Sequence, residues 1–173
     1  EFTGLVLEKC RRKLKGGGVL ATFVDWRNLP AITDALQGAG LVWRGIVVWD
    51  KGTSRNIPGR FRPDCEYIVW GTNGPRAVSW EPGGAALPGC YHIPGVPPKK
   101  RLHQTEKPVE LLEKLLVIAP EEGAILDPFM GSGSTGEAAV KTGRSFIGIE
   151  SEAYYFDTAK DRLLRLEEEK KVG

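Results

Sequence analysis

The residue types best suited to chemistry lie in Asp127-Pro128-Phe129-Met130-Gly131-Ser132-Gly133-Ser134-Thr135-Gly136, after an apolar strand pattern and before a helical one. Gly131, Gly133 and Gly136 satisfy G-x-G-x-x-G, and Glu150 stands at the end of the next strand. Glycines allow a tight turn and close approach of the backbone to a ligand, while an acid at that strand end can accept both hydroxyls of a ribose. The pattern predicts a nucleoside site; a glycine turn that merely joins strand to helix is the bland alternative. In a dinucleotide site the helix N-terminus faces a pyrophosphate, which the carboxylate of Asp127 would repel more strongly as the site dries. That charge suits a ligand with an ammonium or other amino groups near the turn, unless Asp127 only caps the helix through Pro128.

S-adenosylmethionine meets these demands, with a ribose for Glu150, an amino-acid tail and no phosphate. The elements that must position the turn are a helix from Val109 to Ala119, a strand from Ala124 to Leu126, a helix from Thr135 to Lys141, a strand from Phe146 to Ile149, and a charged helix from Glu152 to about Lys170. This order is a βαβ half of an open α/β sheet. Upstream, a helix from about Phe2 to Leu14 ends at Gly16-Gly17-Gly18, and Val19 to Val24 reads as a parallel strand buried on both faces. Asn28 is expected to cap a helix that carries Pro30 and closes near Gly38 to Gly40. Strands follow from Leu41 to Trp49 and from Cys65 to Trp70, an antiparallel pair joined by a polar loop from Lys51 to Asp64. From Gly71 to Lys100 periodicity is lost and Gly and Pro become dense, so regular core elements are not expected there.

The chain has 173 residues, 41% hydrophobic and 27% charged, with 24 Lys and Arg against 22 Asp and Glu. That size fits one domain, and the composition excludes disorder, collagen-like repeats and coiled coil. Cys10, Cys65 and Cys90 form no C-x-x-C pair, which supports neither a disulfide framework nor a structural zinc site, and His92 and His103 lack companion ligands. No apolar run approaches the ~18 residues of a membrane span. The expectation is a cytoplasmic protein with no membrane and no metal partner.

His103-Gln104-Thr105-Glu106-Lys107-Pro108, then Ile125 to Thr135, then Gly143-Arg144-Ser145-Phe146-Ile147-Gly148-Ile149-Glu150, resembles the cofactor half of DNA amino-methyltransferases. That family moves a methyl group from S-adenosylmethionine to an exocyclic amine of adenine or cytosine. Leu14 to Phe23 and Val47 to Trp70 also resemble the strands of its catalytic half. The resemblance implies an α/β, Rossmann-like sheet with helices on both faces, in a single domain of 1–71 (catalytic half), 72–102 (target recognition) and 103–173 (cofactor half). The motif order is that of the family's beta group. Carried over, Gly131, Gly133, Ser134 and Thr135 would bind the methionine tail, Asp127 and Phe129 would shape that pocket, Glu150 would take the ribose, and Thr105, Glu106, Lys107 and Pro108 would close over the cofactor. A solvated lysine at a helix start remains the alternative for Lys107.

The family's Asp/Asn/Ser-Pro-Pro-Tyr/Phe motif, which polarises the target amine and stacks on the flipped base, does not occur; Pro97-Pro98 lies between Val96 and Lys99. The resemblance therefore implies that no catalytic residue lies within this chain and that the motif is upstream of Glu1, in a longer bacterial or phage-encoded protein. It further implies that the strands at Val19 and Ala124 do not pair directly, one central strand being missing between them, and that an upstream segment or a second chain, as in a homodimer, completes the sheet.

Lys51, Arg55, Arg60, Arg62, Arg76, Lys99, Lys100 and Arg101 concentrate positive charge where the family places target recognition. Such side chains suit the phosphates of double-stranded DNA, with RNA as the other nucleic acid the sequence allows and a merely solvated loop as the bland reading. Trp43, Trp49 and Trp70 are expected in the core, leaving Trp80 as a base-stacking candidate. The functional expectation is a site-specific DNA methyltransferase for restriction-modification or regulation. A fragment that binds cofactor and nucleic acid without chemistry is the second reading. An NAD-dependent oxidoreductase is the third, disfavoured by Asp127.

Overall fold

Alternation in the apolar residues sets the sheet and its covering helices in the first half of the chain. The computed structural model describes residues 2–52, 56–76 and 86–172, in two compact units, Glu1–His92 and Ile93–Gly173. Arg55 and Trp80 lie outside the described residues.

The first unit runs α1 (Phe2–Lys13), β1 (Val19–Val24), a 3-10 turn (Trp26–Asn28), α2 (Leu29–Gly38), β2 (Val42–Asp50), β3 (Cys65–Thr72) and β4 (Cys90–His92). α1 closes on Arg11, Arg12 and Lys13, which favour the negative end of the helix dipole, and the Asn73 side chain donates to the Leu14 carbonyl beyond it at 2.9 Å. The strands form a sheet of order β1-β3-β2-β4. One of its faces contributes Leu20, Val24 and Val69 to a buried cluster with Leu7 of α1, Leu36 of α2 and Ala39 just beyond α2. Register puts Phe23, Ile68, Trp49 and Tyr91 on the opposite face.

Several sequence expectations change here. β1 is antiparallel to β3, from Val19↔Thr72 to Val24↔Tyr67, and Leu20 and Val24 alone of its residues are fully buried: its apolar run serves one helix-covered face. Asn28 makes no side-chain cap to α2; Asp25 caps the preceding 3-10 turn instead, accepting from the Arg27 amide at 2.9 Å. β4 emerges within the Gly/Pro-dense stretch, parallel to β2 through Val48↔Cys90, Trp49↔Tyr91 and Asp50↔His92, and buries Tyr91. Trp49 is buried as expected, whereas Trp43 is 42% exposed, paired with Gly71 beside a bulge between Trp43 and Gly45 that shifts the register. The three cysteines are free thiols.

The second unit runs α3 (Val109–Leu116), β5 (Ala124–Asp127), α4 (Ser134–Lys141), β6 (Ser145–Gly148) and α5 (Ala153–Val172), after a short 3-10 turn at Pro98–Lys100. β5 and β6 are parallel from Ala124↔Ser145 to Asp127↔Gly148, the βαβ order expected from periodicity. Leu111, Leu112, Ala138, Ala139 and Ala159 are buried. Arg144, 8% exposed, donates to the Ala119 carbonyl beyond α3 at 2.9 Å and to Thr142 at 3.1 Å, satisfying orphan carbonyls at two helix ends. β1 and β5 belong to different sheets, as expected. Among the described residues no helix is long and apolar enough to cross a membrane.

Gly136 packs without a side chain where α4 meets β6 and α5: an added Cβ would stand 2.7 Å from Phe146 Cε1 and 2.9 Å from Leu163 Cδ2. Alanine favours a helix interior by about 1 kcal/mol over glycine, but an extra methyl in a filled layer costs about 1–3 kcal/mol. Gly136→Ala is expected to lower the urea-unfolding free energy by roughly 1 kcal/mol; a gain would show that β6 and α5 separate freely.

Candidate functional site

Parallel pairing brings the C-terminal ends of β5 and β6 side by side, and the chain leaving each end folds over the other. The Ile149 amide donates to the Asp127 carbonyl at 2.9 Å and the Met130 amide to the Ile149 carbonyl at 3.0 Å. Asp127 Oδ1 accepts from the Phe129 amide at 3.0 Å, so the carboxylate pins the first bend of the turn; it does not cap α4, whose N-cap is Gly133. Gly131 and Gly133 take φ of +51° and +83°, the left-handed region in which glycine is unstrained. A Cβ at Gly133 would also stand 2.9 Å from Ala159 Cβ of α5.

Glu150 closes this arrangement. Its Oε2 accepts from the Gly131 amide and its Oε1 from the Glu152 amide, each at 3.0 Å. The Glu152 amide chiefly, with the Gly131 amide and against partial burial, holds the carboxyl below its ordinary range. An ionised carboxylate is thus fixed beside the glycine turn at neutral pH. Ser132 and Ser134 are buried at 2% and 6% exposure, and Ser132 Oγ has no hydrogen-bond partner among the described residues. Phe129 is 62% exposed on the turn.

The 103–108 segment borders the same turn. A Cβ at Gly131 would lie 3.5 Å from the His103 ring, and that ring packs edge-on against Tyr155 with centroids 4.3 Å apart. The Thr105 amide donates to His103 Nδ1 at 3.2 Å, which assigns the ring proton to Nε2. Arg101, Leu102, Gln104 and Tyr154 join His103 and Tyr155 around an open hollow. Pro108 is buried and its carbonyl accepts from Leu111 and Leu112 at the start of α3; Lys107 is half-buried and Thr105 exposed.

Glu106 plays a different part from that expected of it. Its Oε2 accepts from the Leu102 amide at 2.7 Å and its Oε1 from Arg162 Nη1 at 2.8 Å, with its side chain 5% exposed. The carboxylate moors the segment to α5. Arg162 also bonds Glu137 of α4 through Nε and donates to the Ser132 carbonyl at 3.2 Å. Burial raises the Glu137 carboxyl, and its bonds to Lys141 and Arg162 more than reverse that, leaving it below the ordinary range. Sequence reading missed Arg162 and Glu137. The available signal was an arginine one helical turn beyond Ala159, on the face of α5 that meets the glycine turn.

The structure thus brings together Asp127, Phe129, Gly131, Gly133, Ser134, Thr135 and Glu150, with 103–108 against them, all within the second unit. The basic residues are divided between the units: Lys51, Arg60, Arg62 and Arg76 belong to the first and Lys99, Lys100 and Arg101 to the second. Lys51 pairs with Glu66 at 3.2 Å and Arg62 with Asp64 at 3.0 Å. Arg101 donates to the Val96 and Gln104 carbonyls at 2.7 and 3.1 Å. Arg60, Lys99 and Lys100 are exposed.

Residues 1–161 match the DNA methylase family model. The chain is 33% identical over 164 residues to YubD of Escherichia coli K12, described as a methylase, covering 94% of this chain and 69% of that protein. It is 29% identical to the type II methyltransferase M.HinfI of Haemophilus influenzae, covering 94% of this chain and 50% of that protein. Among solved structures, the M1.HpyAVI-SAM complex superposes with a TM-score of 0.80 at 33% identity, over 92% of this chain and 81% of that one. The cytosine-N4-specific PvuII DNA methyltransferase shares the fold, with a TM-score of 0.72 at 15% identity over 96% and 75% of the two chains.

The Glu150 geometry carries a pH dependence of known sign. A carboxyl held below its ordinary range stabilises the fold fully above its unfolded pKa, and that contribution is lost as pH falls through the folded value. Glu150→Gln is expected to cost roughly 1 kcal/mol at pH 7, the scale of a weakened charge-assisted hydrogen bond. Urea unfolding should show that difference hold down to the usual carboxylate range and shrink in acid below it; a difference that stays constant through that range and below it would contradict the assignment.

Proposed function

Since the chain belongs to the DNA methylase family, we propose that its second unit binds S-adenosylmethionine at the glycine turn and that the chain serves methyl transfer to an exocyclic amino group of adenine or cytosine in double-stranded DNA. The observation that carries this reading is the pair of fixed carboxylates flanking the turn, Asp127 at the end of β5 and Glu150 at the end of β6. Two negative charges repel a pyrophosphate and suit a ribose and an ammonium. The buried Ser132 Oγ, lacking a partner among the described residues, and the glycine backbone fit a ligand pressed closely against the turn.

In this reading Ser134 and Thr135 at the start of α4, with Gly131 and Gly133, would hold the methionine tail. Asp127 and Phe129 would shape that pocket, Asp127 supplying a charge that suits an ammonium, Glu150 would accept from the ribose hydroxyls, and Thr105, Lys107 and Pro108 would close the site. The cofactor supplies an electrophilic methyl group on a sulfonium centre. Direct in-line transfer asks the protein for positioning and for acceptors that polarise the amine, with no covalent enzyme intermediate. The basic residues of the recognition stretch, Lys51, Arg55, Arg60, Arg62, Arg76, Lys99, Lys100 and Arg101, serve DNA phosphates, with the exposed Arg60, Lys99 and Lys100 foremost. A second reading is cofactor and DNA binding without chemistry. Transfer of a labelled methyl group to DNA separates the two readings.

Calorimetric titration tests the site. S-adenosylhomocysteine is expected to bind and NAD to give no heat; comparable binding of NAD would contradict the reading. Asp127→Asn keeps the acceptor for the Phe129 amide and removes the charge, so the affinity for S-adenosylhomocysteine should fall about tenfold, or 1.4 kcal/mol; unaltered affinity would remove Asp127 from the site.

Salt dependence tests the DNA surface. Affinity should fall steeply with salt, and Lys99→Ala and Lys100→Ala should each reduce the log-log slope by about 1. A slope that neither substitution changes would remove both lysines from the DNA surface.

A further inference from the structure

Resting on the cofactor reading above, we propose that Arg162 is a positioning residue for cofactor binding, holding the 102–108 segment in register with the glycine turn. A single guanidinium reaches the segment at Glu106 Oε1 (2.8 Å), the turn at the Ser132 carbonyl (3.2 Å) and α4 at Glu137. The second oxygen of Glu106 accepts from the Leu102 amide at 2.7 Å, so fixing this carboxylate fixes both ends of the loop from Leu102 to Glu106. The three charged side chains are 17%, 5% and 15% exposed for Arg162, Glu106 and Glu137.

The energetic weight of this network falls on the segment rather than on the helices. α3, α4 and α5 are already joined by buried apolar residues, with Leu111, Ala138, Ala139 and Ala159 at 0% exposure. The start of the segment is held more lightly: Leu102, Gln104 and Thr105 are exposed, the His103 ring packs on Tyr155, and the Glu106 amide turns back on the nearby His103 carbonyl. Between two carboxylates a cation is required, since Glu106 and Glu137 would otherwise repel one another. The planar fork of arginine can serve both acids and a carbonyl from fixed directions, which the single ammonium of lysine cannot. Arg162 itself stands behind the turn, bonded to a carbonyl, and acts through Ser132 and Glu106.

The test compares the unsubstituted chain with Arg162→Met, Arg162→Lys and, as a control on the exposed side of α5, Arg165→Met. Two quantities are read: the Kd for S-adenosylhomocysteine by calorimetry, and amide exchange at Leu102 and Glu106 without ligand. Arg162→Met is expected to raise both Kd and the exchange rates at least tenfold beyond any change in α3 and α4 amides. Arg162→Lys should fall between, and Arg165→Met should match the unsubstituted chain. Exchange at Leu102 and Glu106 that rises only in step with the helices, or a Kd within twofold of the unsubstituted chain, overturns the proposal. If Arg162→Met does not fold, Arg162→Lys decides by the same readouts. If the unsubstituted chain binds no S-adenosylhomocysteine, the cofactor reading falls and the positioning role with it, while the exchange rates still decide whether Arg162 moors the segment.

Discussion

The hydrogen bond from the Gly131 amide to Glu150 Oε2, at 3.0 Å, ties together the two strand ends on which the second unit is organised. Parallel pairing places Asp127 beside Gly148, so a turn leaving β5 must cross the end of β6 at once. That crossing demands left-handed backbone at Gly131 and Gly133 and a small residue opposite, which Ala159 provides. A hydrogen bond to a charged acceptor contributes about 1.5–3 kcal/mol. This one stabilises the turn while leaving a carboxylate at its rim. Fold stability and ligand selection thus share one group.

Electrostatics then divides the acids of this unit by task. Asp127 and Glu150 are satisfied by backbone amides of the turn, so their charge is free to act on a ligand. Glu106 is satisfied by Arg162 behind the turn and Glu137 by Arg162 and Lys141, so theirs is neutralised within the protein. Removing one member of such a largely buried set costs about 3–5 kcal/mol, because the others are left without compensation. The same sequence motif, Thr105-Glu106-Lys107-Pro108, contributes to both groups: its exposed threonine borders the turn while its glutamate is turned inward.

Constraints local in sequence were legible before any coordinates. The glycine turn, Glu150 at the next strand end, and the β5-α4-β6 order follow from one continuous stretch of chain, where glycine conformation and hydrophobic period act directly. The Arg162 network spans separations of 25 and 56 residues, and no periodicity announces which arginine of a charged helix turns inward. β4 escaped because three residues are too few for an alternation to be seen amid prolines and glycines. Trp43 escaped because a bulge shifts the register by a backbone feature that side-chain pattern does not encode. The antiparallel pairing of β1 was likewise invisible: an apolar run of six residues reports burial, and strand direction comes from the partner.

The claim that cofactor binding is centred on the glycine turn is tested most directly by following backbone amide resonances during titration with S-adenosylhomocysteine. The account predicts saturable shifts at 103–107, 129–135 and 150–152, with the side-chain carbon of Glu150 moving in parallel. Saturable shifts centred elsewhere in the chain, with Gly131 and Glu150 unmoved, would contradict it.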